Sequence, residues 1–138
     1  MGIEENKAAI RQEVDEAWNK GEYSEVISMI SPEYIYHSPT GRDLKGHDGF
    51  RQIFSIWRTA CPDLHAEIRE IVGEGDTVVV QLSWTGTFTG KFLDSEPTGN
   101  KIHMQEVWIH HFRDGKDAEA TPFANLQSLA NQMGIDLP

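Results

Sequence analysis

Residues 47–88, HDGFRQIFSIWRTACPDLHAEIREIVGEGDTVVVQLSWTGTF, contain a change of hydrophobic period that decides the fold. In the first part, apolar side chains recur at the spacing of one helix face, at Phe50, Ile53, Phe54 and Trp57. Pro62-Asp63 breaks this helix, which we expect to run from about His47 to Ala60. After Asp63, apolar and polar residues alternate with a period of two, which is typical of half-buried strands.

Four segments with this alternation are predicted strands, namely 64–73, 76–88, 102–113 and 117–124. They are joined by Gly75-Asp76, by residues 97–100 and by Asp114-Gly115, and each of these has turn chemistry that suits antiparallel neighbours. The long segments of this part of the chain therefore predict one antiparallel sheet.

Helical patterns dominate the chain on the N-terminal side of this sheet. An amphipathic helix is predicted over residues 3–20, a short second helix follows with Tyr23, Val26, Ile27 and Ile30 as its apolar side, and a brief strand covers Tyr34–His37. A last helix is predicted from Leu126 to Met133, with Gly134 as its stop. Helices followed by an antiparallel sheet indicate an α+β fold, with helices on one face of a curved sheet.

Composition excludes several function classes. Twenty-two acidic residues against 12 basic ones give a formal charge of −10, which disfavours nucleic acid and anionic membranes as partners. The single cysteine, Cys61, forms no disulfide framework, and the six histidines show no metal-ligand spacing, so we expect no metal. No targeting segment or long apolar run is legible, so the sequence favours a cytoplasmic protein.

Motifs along the whole chain resemble those of SnoaL-like polyketide cyclases, within the nuclear-transport-factor-two-like superfamily. They are Ala17-Trp18-Asn19-Lys20-Gly21, residues 34–39 (YIYHSP), Gly46, Gly49-Phe50, Cys61-Pro62-Asp63-Leu64, residues 73–78 (GEGDTV), residues 85–90 (TGTFTG), Pro97-Thr98-Gly99, residues 112–116 (FRDGK) and Gln132-Met133-Gly134. The resemblance implies a single domain over residues 1–138, in which a cone-shaped, curved antiparallel or mixed sheet wraps against three N-terminal helices. A short C-terminal helix and a small-molecule pocket in the mouth of the cone complete this expectation.

The resemblance also implies cofactor-free acid–base chemistry, an intramolecular aldol condensation that closes a ring. Carried over to this chain, the family's histidine falls on His111 and its carboxylic acid falls on Asn125, while His37 matches a position that the family often fills with histidine. An amide cannot remove a proton, so Asn125 departs from the pattern and could only donate a hydrogen bond to an oxyanion. Phe88 is a second departure, because family members commonly place a histidine there.

Strand alternation separates His110 from His111, and the resemblance directs the His111 face towards the pocket. This face would bring Gln105 and Ile109 into the ligand pocket, together with Trp18, Tyr34, Phe54 and Trp57, although aromatic residues of this kind more often belong to a core than to a ligand pocket. Met104, Trp108 and Phe112 would then form an apolar patch on the outer face, which predicts a homodimer through the sheets.

Two functions follow from these observations. The first is an enzyme acting on a hydrophobic, carbonyl-bearing or aromatic small molecule, with His111 and His37 as acid or base and Asn125 at the oxyanion. If another carboxylate replaces the missing one, Glu106, Glu67 or Glu119 would have to reach the pocket. The second is a binding domain that holds an apolar small molecule without catalysis. Epoxide-hydrolase chemistry is a weaker third alternative, since it needs two carboxylates bridged by an arginine and no such triad is legible.

Overall fold

The computed structural model describes residues 2–136, which fold into three α-helices and one six-stranded sheet. The helices are α1 (Ile3–Gln12), α2 (Gly46–Ala60) and α3 (Leu126–Met133). α1 continues as a π-helical segment, Glu13–Asn19, and a 3-10 turn, Val26–Met29, precedes the sheet. The strands are β1 (Ile30–His37), β2 (Asp43–Lys45), β3 (His65–Glu74), β4 (Thr77–Thr87), β5 (Lys101–Arg113) and β6 (Lys116–Ala124).

The sheet has the strand order β2-β1-β6-β5-β4-β3 and is mixed. All neighbouring strands are antiparallel except β1 and β6, which pair in parallel. The α+β architecture expected from the sequence is confirmed, with the long strands β3 to β6 close to their predicted bounds.

Two local elements differ from expectation. The predicted second helix is only the four-residue turn Val26–Met29, because the segment between Gly21 and the strand that starts at Ile30 is too short to propagate a helix. β1 is correspondingly longer than the predicted Tyr34–His37, and it gains a partner, β2, in a region that reads as loop.

The helices pack their apolar stripes onto one face of the sheet. Ile10, Val14 and Trp18 are buried on the first helix and its π-helical continuation, and Phe50 and Phe54 are buried on α2. These stripes are the ones that the periodicity of the sequence predicts, and they form the helical wall of the core.

The inner face of β5, which contacts the helices, carries Met104, Trp108, His110 and Phe112, each less than 9% exposed. The expectation that Met104, Trp108 and Phe112 lie on the outer face is therefore wrong. Large aromatic groups on this strand bury most area by packing against the helical wall, as Trp108 does against Trp18 and Tyr36. His111 and its alternating neighbours face outwards instead.

Candidate active site

Glu106 is a carboxylate on the inner wall of β5, on the same face as Trp108 and His110. The residue is half-buried, and its Oε1 accepts a hydrogen bond of 3.0 Å from the Trp108 indole Nε1. Burial raises the pKa of Glu106 to about 7, and the indole N–H groups of Trp108 and Trp84 oppose that rise. Trp84 Nε1 is near enough to act on this charge but lacks a partner at good hydrogen-bond geometry.

Aromatic rings surround this carboxylate. Trp18 meets Trp84 edge to face, with ring centroids 5.4 Å apart, and Trp108 at 6.4 Å. Tyr36 of β1 packs on Trp108 at 5.6 Å, and burial together with the nearby charge of Glu106 raises the pKa of the Tyr36 hydroxyl. Weak solvation in such a wall is the physical reason why Glu106 holds its proton more tightly than a surface glutamate.

A second polar group lies further along the same inner face. His110 stacks on Trp108, with centroids 5.8 Å apart and planes inclined by 13°, and its Nδ1 lies 2.8 Å from Oδ2 of Asp117. Asp117 follows the tight turn between β5 and β6 and is fully buried. The hairpin thus brings an imidazole and a carboxylate together inside the fold.

Glu13 is the third member of this group and lies in the π-helical segment. Its pKa is raised well above the ordinary value by burial, then by the charge of Asp117 and by a hydrogen bond to the Asp117 side chain. Tyr34 of β1 is also buried beside these carboxylates, and burial followed by their charges raises its pKa. A π-helical turn in this place changes the direction of the side chains after Gln12, and such turns are frequent at functional sites.

A small cavity of about 20 Å³ adjoins this cluster. Its polar lining consists of Glu13, Tyr34 and His110, and apolar side chains of the helical wall and of β4 and β5 complete it. This volume is about that of one water molecule, so the interior beside the cluster is nearly filled by side chains.

Comparison with known proteins places this geometry in a family. The family model of the SnoaL-like polyketide cyclases matches residues 8–133. The chain belongs to this family. It is similar to aklanonic acid methyl ester cyclase AcmA from Streptomyces galilaeus, with 27% identity over 138 residues, 99% of this chain and 95% of that protein.

Solved structures of similar proteins show the same fold. AclR from Streptomyces galilaeus shares 29% identity and superposes with a TM-score of 0.82, covering 99% of this chain and 87% of its own. TsrD from Streptomyces laurentii shares 22% identity with a TM-score of 0.85, covering 97% and 98%. The resemblance inferred from the motifs is therefore confirmed for the family and for the fold.

The three residues predicted to carry the chemistry are not brought together in this SnoaL-like domain. His111 is exposed on the outer face, with its Nδ1 3.1 Å from the Thr77 hydroxyl. Asn125 is exposed and caps α3, its Oδ1 accepting a 3.0 Å bond from the Ser128 amide. His37 lies on β1, which β6 separates from the strand of His111. These three residues therefore do not form a common site.

His37 has two carboxylate partners of its own. Its Nδ1 lies 3.0 Å from Asp43 Oδ1 on β2, and its Nε2 lies 2.5 Å from Glu119 Oε2 on β6. Hydrogen bonding to Glu119 is the main cause that raises the pKa of His37. This arrangement ties the edge strand β2 to the parallel pair of β1 and β6.

The predicted ligand-pocket residues divide between the two faces. Trp18, Tyr34 and Phe54 lie in the core, and Trp57 packs on Phe92 at 4.9 Å. Gln105 and Ile109 are on the outer face and do not line the interior, which corrects the expectation for both. The physical reason is that the alternation places them opposite Glu106, Trp108 and His110.

An open groove of about 390 Å³ lies on this outer face. It includes Gln81, Gln105, Val107, Phe123 and Asn125, with Glu106 and Ala124 between them along the strands. The groove is shallow and faces solvent, in contrast to the enclosed aromatic wall around the side chain of Glu106.

Sequence reasoning missed the cluster of Glu13, His110 and Asp117, although two signals were present. Glu106 and His110 alternate with Met104, Trp108 and Phe112, and three such large apolar residues on one face favour the interior. Glu13 lies three residues after Ile10 and four before Ala17, within the apolar stripe of its helix. Polar residues on an apolar stripe are the ones to examine for function.

Neither a metal-binding cluster nor a membrane-spanning helix occurs among residues 2–136. Residues 2–136 contain no group of three or more His, Cys, Asp or Glu side chains arranged to hold a metal ion. None of the helices in this range combines the length and the apolar character needed to span a bilayer.

Proposed function

We propose that this SnoaL-like protein is a cofactor-free acid–base enzyme that acts on a carbonyl-bearing, largely apolar small molecule, with Glu106 as the group that removes a proton. The observation that carries the proposal is the position of Glu106 on the inner wall, half-buried among aromatic rings and fixed by the Trp108 indole. A carboxylate whose pKa is about 7 is matched to proton transfer near neutral pH.

The reaction class that fits is an intramolecular aldol condensation. Glu106 takes the proton from a carbon that lies between two carbonyl groups. The resulting enolate carbon then forms a bond to the carbon of a further carbonyl group in the same molecule. The oxygen of that carbonyl becomes an alkoxide and takes the proton back from the Glu106 carboxylic acid. The step is an isomerisation in which all atoms are retained, so it needs neither an oxidant nor a reductant.

Substrate entry requires movement of the aromatic wall. The enclosed cavity of about 20 Å³ has room for about one water molecule and is too small for a ring system. We propose that the ligand displaces Trp18 from its contacts with Trp84 and Trp108 and so reaches Glu106. A change in tryptophan fluorescence on ligand addition is the expected signal.

The first substrate to test is aklanonic acid methyl ester, the compound that appears in the name of the relative AcmA. In the assay, solvent deuterium is followed into the position next to the carbonyl, and the cyclised product is quantified separately. Glu106→Gln is expected to lower both rates by about 10²-fold to 10⁴-fold, the usual range for loss of a general base. The matched control is Glu67→Gln, since Glu67 is an exposed carboxylate on β3. Full exchange and cyclisation by the Glu106→Gln variant would show that another group is the base.

The alternative function is a small-molecule-binding domain without catalysis. It is favoured by Asn125, which occupies the position that the resemblance assigns to a carboxylic acid and which caps α3 instead. Saturable quenching of tryptophan fluorescence by the ester, together with no deuterium exchange above the uncatalysed rate, would support this alternative over the enzyme.

The catalytic roles of His111, Asn125 and His37 stay predictions, as do the lack of a cofactor and the cytoplasmic location. Asn125→Asp tests them directly, since aspartate caps a helix as well as asparagine and the variant should fold. Activity that appears only in this variant would favour a cyclase that has lost its carboxylic acid. Unchanged activity would favour the Glu106 mechanism.

The predicted homodimer also remains a proposal, now through different residues. Cross-strand pairing aligns Val72, Val79 and Ile109 in one row on the outer face, and Val107 and Phe123 in the next. Val72 is 51% exposed and Phe123 is 56% exposed. A patch of this kind favours association with a second copy. Light scattering should give twice the chain mass of 15.6 kDa, and Phe123→Glu should shift it to the monomer. A monomeric parent protein would end this proposal.

A further inference from the structure

Two carboxylates, Glu13 and Asp117, are both buried in the interior, where even one charge is unfavourable. Glu13 is 4% exposed and Asp117 is fully buried, and the nearby Asp117 carboxylate raises the pKa of Glu13. Glu13 Oε2 and Asp117 Oδ1 are the oxygens in this pair that have no donor among residues 2–136. One proton between the two carboxyl groups would satisfy both oxygens and remove one of the two charges.

The position of that proton follows from the surroundings. Asp117 already accepts a hydrogen bond from His110 through its other oxygen, Oδ2, at 2.8 Å. Glu13 has no comparable donor, so it is the carboxyl group that stays protonated and donates to Asp117. The resulting chain of hydrogen bonds runs from Glu13 through Asp117 to His110.

The hydrogen bond to Asp117 determines which ring nitrogen of His110 keeps its lone pair. Since Nδ1 donates to Asp117, the neutral imidazole has its lone pair on Nε2. His110, Glu13 and Tyr34 all line the adjoining cavity, whose volume of about 20 Å³ fits one water molecule. A polar lining of this kind gives a water the two or more partners it needs.

We propose that Glu13, Asp117 and His110 form a proton-sharing relay that binds one water molecule in this cavity and presents His110 Nε2 to the interior as a second acid–base group. His110 accepts or returns a proton through the water, and Asp117 and Glu13 are positioning residues that fix its tautomer. Its use in catalysis rests on the function proposed above, whereas the relay exists without any substrate.

The three relay residues and the tyrosine that faces them come from four different elements. Glu13 belongs to the π-helical segment, Tyr34 to β1, His110 to β5 and Asp117 to β6. The tyrosine stays neutral because burial and the two carboxyl groups raise its pKa. The relay therefore carries one net negative charge, on Asp117, which accepts hydrogen bonds from Glu13 and His110.

Infrared spectroscopy tests the shared proton without any activity assay. At about pH 8, above the pKa of about 7 of Glu106, a protonated-carboxyl C=O band should remain in the parent protein. The band should be absent in Glu13→Gln, whose amide can still donate to Asp117, and present in the control Glu22→Gln, since Glu22 is exposed. A parent protein without this band, or a band that survives in Glu13→Gln, would overturn the proposal.

Nitrogen-15 NMR of the histidine side chains tests the tautomer. The expected result is that His110 is neutral with the proton on Nδ1 in the parent protein and in Glu13→Gln, and that Asp117→Asn loses this signature. His111 provides the internal control, because it should be unchanged in all three proteins. A proton on Nε2, or an imidazolium at about pH 8 in the parent, would refute the relay. Failure of Glu106→Gln to reduce catalysis would leave this outcome unaffected, so the two proposals can fail separately.

Discussion

The two faces of β5 are separated only by alternation along one strand, yet they place the same residue types in opposite environments. On the inner face, His110 is 6% exposed and bonded to Asp117, while on the outer face its neighbour His111 is exposed beside Thr77. Glu106 on the inner face and Gln105 on the outer face repeat this contrast earlier on the same strand. The comparison shows that the face of the strand decides whether a polar residue is buried against a fixed partner or exposed to solvent.

The largest expected difference between the faces concerns the adjacent histidines. His110→Ala would leave Asp117 buried without its imidazole partner, and we expect a loss of about 3 kcal/mol in the free energy of unfolding. His111→Ala removes an exposed side chain and should change it by less than about 0.5 kcal/mol. Urea unfolding of both variants measures the contrast.

His110→Gln sharpens this test, because an amide can still donate to Asp117 and should restore part of the lost stability. Equal stabilities for His110→Ala and His111→Ala would mean that the two faces do not differ as the structure indicates, and that the buried pair contributes nothing net.

Glu106→Gln should give the second largest effect, with opposite signs for stability and activity. The pKa of Glu106 in the folded protein is about 7, against an ordinary value of 4.5, so between these values the folded state holds a proton that the unfolded state has released. The stability of the parent protein therefore falls as pH rises through this window. Glutamine does not titrate, and the variant should become more stable by about 2 kcal/mol at pH 8, after allowance for partial solvent access.

Thermal unfolding at several pH values measures this effect. The two proteins should have similar stability below about pH 4.5, and the difference should grow until about pH 7. A constant difference across this range would contradict the raised pKa. Gln105→Glu, which puts a carboxylate on the outer face, is the matched control and should show no such pH dependence.

The same contrast explains which parts of the molecule the sequence could predict. Period-two alternation and turn residues predicted the strands from Leu64 to Ala124 and their antiparallel pairing, because each signal is local. β2 could not be predicted in this way, since Asp43–Lys45 is only three residues long and pairs with β1 only through the fold. The parallel pairing of β1 with β6 is also long-range and leaves no local pattern.

The face of β5 illustrates a different limit. Alternation separated His110 from His111 correctly, but it cannot say which face is inside. The family's motifs directed His111 inwards, whereas the burial of Trp108 and Phe112 shows the reverse. A period of two means that one wrong choice of face exchanges every residue of the strand, including Glu106 for Gln105 and His110 for His111.

Asn125 supports a third prediction of intermediate size. Its side chain caps α3 on the outer side, so Asn125→Ala should reduce the free energy of unfolding by about 1 kcal/mol. Asn125→Asp should be near neutral, since the carboxylate accepts the same bond from Ser128. Chemical denaturation of both variants measures this, and equal losses for both would show that the cap is not what the residue contributes.

His37 gives the smallest expected effect because it lies at the end of β1 and is half-buried. Its bonds to Glu119 and Asp43 raise its pKa, so the charged form is stabilised in the folded state. The contribution is fully present below the ordinary pKa of about 6.5 and is lost as pH rises through the higher folded value. His37→Gln should remove this pH dependence while changing stability by less than about 1 kcal/mol, as for other exposed ion pairs.

Ionic strength should affect the stability contribution of the His37 contacts more than that of the buried His110–Asp117 contact. The His37 contribution should shrink when ionic strength rises, because its partners are accessible to solvent and are screened. The effect of His110→Ala should hardly change, because Asp117 is fully buried and ions cannot approach it. Measuring both variants at low and high salt therefore compares the two kinds of histidine–carboxylate contact directly, and equal salt dependence would mean that burial does not distinguish them.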